Sequence, residues 1–249
     1  MKLNLQKINK ELENKTALDI IKWAYKTFEH DSIKLSTSFG AEGMALIHML
    51  ANTVESPKIF TIDTGRLFHS TYDVWQEVID KYKVKIDTYY PDAKDIAELV
   101  NPTGPNLFYK SVENRKKCCY VRKVKPLKEA LKDAQAWISG LRRSQAESRE
   151  NIQIVSFNET HDCYKIAPLV NWSETDVWEY IRNNGIPYDK HHDRGYFTIG
   201  CEPCTRPVRP AEDIRSGRWW WESAEQKECG LHIEDGKVVR KKQTPNWTI

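Results

Sequence analysis

The chain has 249 residues, of which 40% are hydrophobic and 29% are charged, and this balance predicts a globular protein with one sizeable core. No apolar run approaches the roughly 18 residues that a membrane span requires, and the polar N-terminus lacks the apolar region of a signal peptide. We therefore expect a cytoplasmic protein. A formal net charge of +3 is too small to indicate binding to bulk nucleic acid, and the clustering of basic residues favours small anions.

Strand and helix patterns alternate along the first two thirds of the chain. The apolar residues of segment 17–30 recur at helical spacing, which predicts an amphipathic helix. Later β-branched and apolar runs predict strands, separated by helical patterns. The predicted strands cover residues 32–39, 58–63, 85–90, 136–143, 152–157 and 163–170, and helices are predicted over 44–50 and 69–83. This alternation predicts an α/β fold on a single, mostly parallel sheet that is covered on both faces.

The C-terminal third has a different pattern. The segment SETDVWEYIRNNG predicts a helix with Ser173 as N-cap, Asp176 at the third helical position and Gly185 at the C-terminal end. Beyond Gly185 the chain is rich in loop residues and ends in a polar segment. We predict three parts: an N-terminal helical segment over residues 1–30, an α/β domain over 31–221 and a mobile C-terminal tail over 222–249.

Polar residues follow three of the predicted strands. Ligands of open α/β sheets bind outside the carboxyl ends of the strands, where helix N-termini present backbone N–H groups. The first loop lacks the Walker pattern and the GxGxxG pattern, so it does not indicate an ATPase or an NAD enzyme. A tight strand-to-helix turn and a solvated arginine pair remain alternatives. The candidate residues are Ser36, Thr37, Ser38, Gly40 and Gly43, then Asp63, Thr64, Gly65 and Arg66, and finally Arg142 and Arg143.

Six cysteines in a chain that we expect in a reducing compartment do not indicate a disulfide framework. They are Cys118, Cys119, Cys163, Cys201, Cys204 and Cys229. Cys201 and Cys204 form a CxxC pair, and with Cys118 and Cys119 they make a set of four thiols. Zinc is the commoner use of four cysteines, but zinc ligands are usually spaced by two to four residues. Adjacent thiols on a helix diverge by about 100°, so they suit different iron atoms of a cluster and favour iron–sulfur over zinc.

Basic residues surround the adjacent cysteines. A cubane bound by four thiolates carries net negative charge, which neighbouring cations would compensate. The basic residues in question are Arg115, Lys116, Lys117, Arg122, Lys123 and Lys125.

The remaining two cysteines differ in their surroundings. Cys163 lies in a strand-like segment, which favours a buried, inert thiol. Cys229 lies in a polar segment, where Lys227 and His232 could stabilise a thiolate and Glu228 opposes this effect. A single cysteine in a tail is more often incidental than catalytic, so the spacing alone assigns it no role.

Taken together, these segments resemble the adenylyl-sulfate and phosphoadenylyl-sulfate reductases, which are related to the PP-loop ATP pyrophosphatases. The resemblance runs from about residue 33 to residue 232. The motifs that carry it are SFGAEG, IDTGRLF, CCYVRKVKPL, ISGLRRSQ, PLVNWSETDVWEYI, IPY, GCEPCTRP, IRSGRWWWE and ECGLH. It implies a doubly wound fold of the PP-loop, adenine nucleotide alpha hydrolase-like type. One departure is Gly43, where the related loop often has aspartate.

The resemblance also implies roles for individual residues. Cys118, Cys119, Cys201 and Cys204 match the ligands of one [4Fe-4S] cluster. Cys229 matches the nucleophile, and Lys123 matches the lysine between cluster and substrate. The residues that match groups around the phosphosulfate or the nucleotide are Ser38, Gly40, Ala41 and Glu42 of the phosphate-binding loop, Asp63, Thr64 and Arg66 of the adenosine segment, and Arg143, Arg215, Arg218 and His232. We expect the three tryptophans Trp219 to Trp221 to anchor the tail on the core of the protein, in preference to stacking on the base of a nucleotide.

The activity that the resemblance implies is reduction of adenosine 5'-phosphosulfate to sulfite and AMP during sulfate assimilation. Its implied partners are the nucleotide substrate and a thioredoxin or glutaredoxin-like reductant, without nucleic acid or membrane, and a homo-oligomer is compatible with the sequence. A reductase of 3'-phosphoadenylyl sulfate, or one of dual specificity, is the nearest alternative. An ATP-using PP-loop enzyme conflicts with the missing SGGxDS pattern. A zinc-stapled nucleic-acid-binding module would predict strongly salt-dependent binding and no turnover.

Overall fold

The computed structural model of the protein describes residues 3–145, 149–210 and 212–223. Its central feature is a six-stranded sheet with the order β3-β2-β1-β4-β6-β5. The strands are β1 Ile33–Thr37, β2 Lys58–Ile62, β3 Ile86–Tyr89, β4 Ala136–Ile138, β5 Val155–Asn158 and β6 Cys163–Ile166. The chain winds from β1 towards one edge and then returns to β4 on the other side of β1. This reversal defines a doubly wound α/β fold, which confirms the predicted fold class.

The strand pairing is mostly parallel. Strand β1 pairs in parallel with β2 and with β4, with Leu35 opposite Ile59 on one side and opposite Ile138 on the other. Strand β4 pairs in parallel with β6, whereas β5 pairs with β6 in the antiparallel sense. An antiparallel edge strand on an otherwise parallel sheet is common in large α/β sheets. Residues 33, 35 and 37 on one face of β1 are buried, and residues 34 and 36 on the other face are half-buried, so both faces of this central strand are covered.

Eight α-helices occur among the described residues. They are α1 Leu5–Leu12, α2 Ala17–Thr27, α3 Ala41–Thr53, α4 His69–Tyr82, α5 Ala93–Val100, α6 Val112–Cys119, α7 Lys125–Ala130 and α8 Glu174–Asn183. The predicted cap of α8 is confirmed, because the Ser173 hydroxyl accepts from the Asp176 N–H and the Asp176 carboxylate accepts from the Ser173 N–H. Gly185 follows the helix at a φ of +54°, a conformation that favours glycine.

The helix that carries the adjacent cysteines is interrupted in a way that the sequence did not predict. A π-helical turn over Tyr120–Val124 joins α6 to α7, so residues 112–130 form one nearly continuous helix. A π turn inserts an extra residue into a helical turn and is found frequently at functional sites. Cys118 and Cys119 end α6, and Lys123 lies within the π turn.

The described residues form two compact units. Unit 1 comprises the described residues up to Thr61, with Val74–Asp87 and Ala130–Tyr188. Unit 2 comprises Ile62–Asp73, Thr88–Glu129 and the described residues from Asp189 onwards. Each unit has its own cluster of buried apolar side chains. The predicted boundaries at residues 30 and 221 stay a prediction, and most of the predicted tail lies outside the described residues.

Two further sequence predictions can be compared with the structure. Strand β4 ends at Ile138 instead of continuing to residue 143. The Ser139 amide still donates to the Ile166 carbonyl, and after it the chain leaves the sheet and enters a 3-10 turn at Arg143–Gln145. No helix in the described ranges combines the length and the apolar character that a membrane crossing needs.

Candidate functional site

In unit 1, the loop SFGAEG connects β1 to α3. Gly40 is the N-cap of α3 and Glu42 lies in its first turn. Phe39 adopts a φ of +58°, and its amide donates to the Thr37 hydroxyl over 3.0 Å. The Phe39 ring is buried and stacks on Trp75 with centroids 5.4 Å apart. The loop is therefore held from inside the unit, with Ser38 exposed beside the first N–H groups of α3.

Close packing explains why residue 43 is a glycine. A Cβ atom at this position would lie 2.7 Å from the Thr37 hydroxyl oxygen, which is closer than real Cβ contacts allow. Helix α3 therefore approaches the end of β1 too closely for the aspartate of the related loop. The departure in sequence reflects how tightly helix and strand pack in this chain.

Glu42 and Arg142, two of the predicted substrate-binding residues, pair with each other in unit 1. The Arg142 Nε and Nη2 atoms each lie 2.9 Å from Glu42 Oε1. Gln145 Nε2 donates to the same oxygen over 2.8 Å. Gly140 permits this approach, since a Cβ there would lie 2.7 Å from the Glu42 Cβ. The loops after β1 and β4 are thus joined by a half-buried ion pair. Anion binding by the backbone N–H groups at the start of α3 stays a prediction.

Arg143 follows directly and has different partners. Its Nη1 atom lies 2.7 Å from Glu13 Oε1, at the end of α1, and it also donates to Asn171 Oδ1. Its Nε atom donates to the Ile152 carbonyl over 2.9 Å. These contacts tie the guanidinium to three segments of unit 1. Its substrate role stays a prediction, in which the phosphosulfate would compete with Glu13.

In unit 2, the segment after β2 forms a tight turn with its own hydrogen bonds. Asp63 Oδ1 accepts from the Gly65 amide over 2.8 Å and from the Tyr72 hydroxyl over 3.0 Å. Burial, together with the hydrogen bond to Asp63, raises the pKa of Tyr72 to about 12. Gly65 has a φ of +67°, and the Thr64 carbonyl accepts from Arg122 Nη1 over 2.7 Å. The turn is therefore polar and closed by its own hydrogen bonds, and its role in cradling the adenosine stays a prediction.

The four predicted cluster ligands are brought together in unit 2. Cys118, Cys119, Cys201 and Cys204 are all buried and belong to one apolar cluster, which also contains Phe108 and Trp219. The two cysteine pairs come from distant parts of the chain, the end of α6 and the CxxC turn. The Glu202 amide donates to the Arg66 carbonyl over 2.8 Å, so the adenosine segment and the CxxC turn are directly joined.

Polar and cationic groups reach these buried thiols. Thr64 Oγ1 lies 3.3 Å from Cys201 Sγ. Burial by itself raises the pKa of Cys201, but Lys123, the Thr64 hydroxyl and two arginines together bring it below the usual cysteine value. Burial and the neighbouring Cys201 raise the pKa of Cys204 to about 12. A set of buried thiols beside Arg122, Lys123 and Arg218 suits a metal centre bound by thiolates, because the three cations would compensate the net negative charge of such a centre.

The described residues also allow a direct test of fit for a metal. Nowhere in residues 3–145, 149–210 and 212–223 do three or more His, Cys, Asp or Glu side chains converge on a point that could hold one metal ion. A cubane imposes a different geometry, because each thiolate binds a separate iron atom. The Nε atoms of Arg122 and Arg218 and the Nε1 atom of Trp219 are buried without a hydrogen-bond partner. Such donors fit the sulfur atoms of a cluster, and the [4Fe-4S] assignment stays a prediction.

Arg218 and Arg215 lie in the segment that follows the CxxC turn. The Arg218 guanidinium packs on Gly200, where a Cβ would lie 2.3 Å from Nη2, and it stacks over Trp219 at 4.6 Å. Arg215 is half-buried, and its amide donates to Asp213. Cys229 and His232 lie outside the described residues, so their predicted roles stay predictions.

Comparison with known proteins identifies the family of the chain. The family model described as the phosphoadenosine phosphosulfate reductase domain matches residues 32–207. The chain belongs to this reductase family. It is 44% identical over 204 residues to an adenosine 5'-phosphosulfate reductase of Burkholderia cepacia, covering 82% of each chain. It is 42% identical to the protein of that name from Staphylococcus epidermidis, covering 90% of this chain and 89% of the relative.

Solved structures agree with this reductase assignment. The crystal structure of phosphoadenylyl-sulfate reductase from Candida auris superposes with a TM-score of 0.71 at 27% identity, covering 84% of this chain and 99% of that one. Yeast FAD synthetase superposes with a TM-score of 0.57 at 12% identity, covering 86% of this chain and 72% of that one. The second likeness shows the fold alone.

Within this member of the reductase family, sequence reasoning left some assignments incomplete. Of the six basic residues expected around the cysteines, Arg115 and Arg122 are buried and Lys123 is half-buried, whereas Lys116, Lys117 and Lys125 are exposed. Spacing could have singled out Arg115 and Arg122, since each lies three residues from one of the two cysteines and four residues from the other. The contact of Thr64 with Cys201 spans 137 residues and has no signal in one sequence.

Proposed function

We propose that this chain reduces adenosine 5'-phosphosulfate to sulfite and AMP in sulfate assimilation, using thioredoxin or a similar dithiol protein as reductant. The single observation that carries the proposal is the gathering of four cysteines from two distant motifs into one buried cluster beside Lys123, Arg122 and Arg218. The relatives that carry the name adenosine 5'-phosphosulfate reductase support the choice of substrate. Phosphoadenylyl sulfate is the alternative substrate.

The proposed reaction has two stages. In the first, the Cys229 thiolate attacks the sulfur of the phosphosulfate, the bond between sulfur and the bridging oxygen breaks, and AMP leaves with the electron pair. The enzyme then holds an S-sulfocysteine. In the second, a thiolate of the reductant attacks the Cys229 sulfur and sulfite leaves with the electron pair of the sulfur–sulfur bond. The second thiol of the reductant resolves the mixed disulfide, so the dithiol is oxidised and Cys229 is restored.

Cations are needed because the electrophilic sulfur is surrounded by anionic oxygens. Arginine forks match the geometry of sulfate and phosphate oxygens better than lysine does. We propose this role separately for each of Arg143, Arg215, Arg218 and His232, as the resemblance implies. The N–H groups at the start of α3 bind phosphate in the proposal, and the turn from Asp63 to Arg66 holds the adenosine.

Cys118, Cys119, Cys201 and Cys204 would hold the [4Fe-4S] cluster. When bound, the cluster supplies a fixed charge and a structural link between the two cysteine motifs, while the electrons come from the dithiol reductant. The residues of the chain do the remaining work. Lys123 lies in the π turn directly after the cysteine pair, where its ammonium acts on the thiolates and on the anionic substrate through charge.

Replacement of Lys123 by alanine is expected to lower kcat by about 10- to 100-fold, because a positive charge next to the cysteines is lost. The iron content should be retained and the absorption spectrum of the cluster should change. Steady-state assays with adenosine 5'-phosphosulfate and absorption spectra measure both effects. Lys128→Ala, which removes an exposed lysine of α7, is the matched control and should behave as wild type. Wild-type turnover in Lys123→Ala would disprove the role.

The proposed function predicts a stoichiometric burst. Adenosine 5'-phosphosulfate mixed with the enzyme without reductant should release one AMP per chain and then stop, since the sulfonated cysteine lacks a thiol to resolve it. Addition of reduced thioredoxin should release one sulfite. With phosphoadenylyl sulfate the leaving group is adenosine 3',5'-bisphosphate, and its burst, measured in the same way, compares the two substrates. A burst with phosphoadenylyl sulfate and none with adenosine 5'-phosphosulfate would reverse the choice of substrate. Continued AMP release without any thiol would refute the covalent route.

A further inference from the structure

The end of the described chain is held by a buried ion pair. Glu222 receives a two-pronged contact from Arg115 of α6, with Arg115 Nε 3.0 Å from Glu222 Oε1 and Nη2 2.7 Å from Oε2. The two side chains are only 1% and 2% exposed. A two-pronged arginine–carboxylate pair fixes direction as well as distance. The pair therefore holds residue 222 rigidly against the helix that carries the cysteine pair.

Arg115 also contacts the cysteine cluster. It lies three and four residues before Cys118 and Cys119 on α6, so it shares their face of the helix. Its guanidinium stacks over the Trp219 ring at 4.7 Å. One guanidinium thus lies on the helix face that carries two predicted iron ligands and contacts the segment Trp219–Ser223, which we call the tail root.

The backbone of the tail root is constrained as well. Trp219 adopts a φ of +42°, a left-handed conformation that bulky residues avoid and that surrounding contacts must impose. Its ring is 1% exposed, and its amide donates to the Cys204 carbonyl over 3.1 Å. Both cysteine motifs therefore hold the tail root, α6 through Arg115 and the CxxC turn through Cys204.

Burying two opposite charges is costly, and an apolar pair would often be at least as stable. The pair therefore calls for a role other than stability. Cys229 lies seven residues beyond Glu222, so an extended chain places it at most about 25 Å away. A thiol on such a tether reacts at an effective concentration that depends on where the tether starts and in which direction it points.

We propose that Arg115 and Glu222 are positioning residues that fix the tail root on the cysteine-bearing helix and so aim Cys229 at the substrate sulfur. The proposal rests on the proposed function, in which Cys229 is the nucleophile. It places no group of the pair in contact with substrate.

The test is the rate of AMP release from adenosine 5'-phosphosulfate without reductant, followed by rapid quench. Glu222→Gln keeps the size of the side chain and removes its charge, and it should slow AMP release at saturating substrate by about 10- to 100-fold. The amplitude should remain one AMP per chain. Iron per chain and the Kd for AMP should match wild type. Hydrogen exchange in the peptide containing residues 219–223 should become faster.

The matched control is Asp95→Asn, which removes the ion pair of Asp95 with Lys125 in the same unit and leaves the pair of Arg115 with Glu222 intact. It should release AMP at the wild-type rate. Glu222→Asp keeps the charge on a shorter side chain and should give a rate between those of wild type and Glu222→Gln. If Glu222→Gln does not fold, Glu222→Asp decides, and a wild-type rate there overturns the proposal.

Three other outcomes also overturn it. Wild-type AMP release in Glu222→Gln would show that the pair does not position the nucleophile. A loss of rate that only matches a loss of iron, or a weaker Kd for AMP, would assign the pair to cluster or substrate binding. Both results leave the proposed function intact. Absence of AMP release from the wild-type enzyme would instead refute the proposed function, and the positioning role with it.

Discussion

Serine in place of Cys229 should abolish AMP release from adenosine 5'-phosphosulfate. A neutral hydroxyl is a far poorer nucleophile than a thiolate at neutral pH, and loss of a nucleophile of this kind slows the chemical step by about 1000-fold or more. The variant should still bind AMP and keep its iron, because the proposed ligands are untouched. Rapid-quench measurement of AMP without reductant reads the effect directly. In the wild-type enzyme, mass spectrometry should find one SO3 group on the peptide that contains Cys229.

Cys163→Ser provides the control for this experiment. Cys163 lies in β6, is 1% exposed, and burial raises the pKa of its thiol to about 11. It is therefore protonated and inaccessible at neutral pH, and its replacement should leave the AMP burst unchanged. An SO3 group on Cys163, or sulfite production by Cys229→Ser at the wild-type rate, would contradict the assignment of the nucleophile.

The fold was predictable because its signals are local. The run Ile33, Leu35 and Thr37 marks a buried strand, and each later strand of the sheet is a short apolar or β-branched segment. The cap of α8 is a four-residue pattern that needs no distant partner. The π turn at Tyr120–Val124 left no such signal, because its residues are compatible with an ordinary helix. The end of β4 was misplaced for a related reason, since the apolar pattern runs into a loop that leaves the sheet.

The candidate site was predictable only in its residue types. The CC and CxxC motifs indicated a common ligand, and the structure gathers them into one apolar cluster. The pairing of Glu222 with Arg115 joins residues 107 positions apart, and one sequence contains no trace of it. The same holds for the ion pairs of Arg142 with Glu42 and of Arg143 with Glu13. These last two contacts bear on the predicted anion-binding role of Arg142 and Arg143, because each arginine already has a carboxylate partner before any anionic substrate binds.

Replacement of Cys201 by serine should remove the cluster. Wild-type protein purified without oxygen should be brown and contain about four irons per chain. Cys201 is buried, its sulfur lies 3.3 Å from Thr64 Oγ1, and the charges of Lys123 and Arg218 stabilise its thiolate. A serine hydroxyl at this position is protonated at neutral pH and is a poor ligand for iron. The variant should therefore lose most of its iron and its colour, as metal analysis and absorption spectra would show.

The control again is Cys163→Ser. It should keep its iron, because Cys163 lies outside the apolar cluster that contains both cysteine motifs. A zinc site would give different results in both experiments. The wild-type protein would be colourless with about one zinc per chain, and Cys201→Ser would lose that zinc. Full iron content in Cys201→Ser would mean that another residue completes the ligand set. Because iron content is read without substrate or reductant, these results decide the nature of the metal independently of the reaction. A protein with one zinc would leave the adjacent position of Cys118 and Cys119 unexplained, since one tetrahedral ion accommodates neighbouring helical thiols poorly.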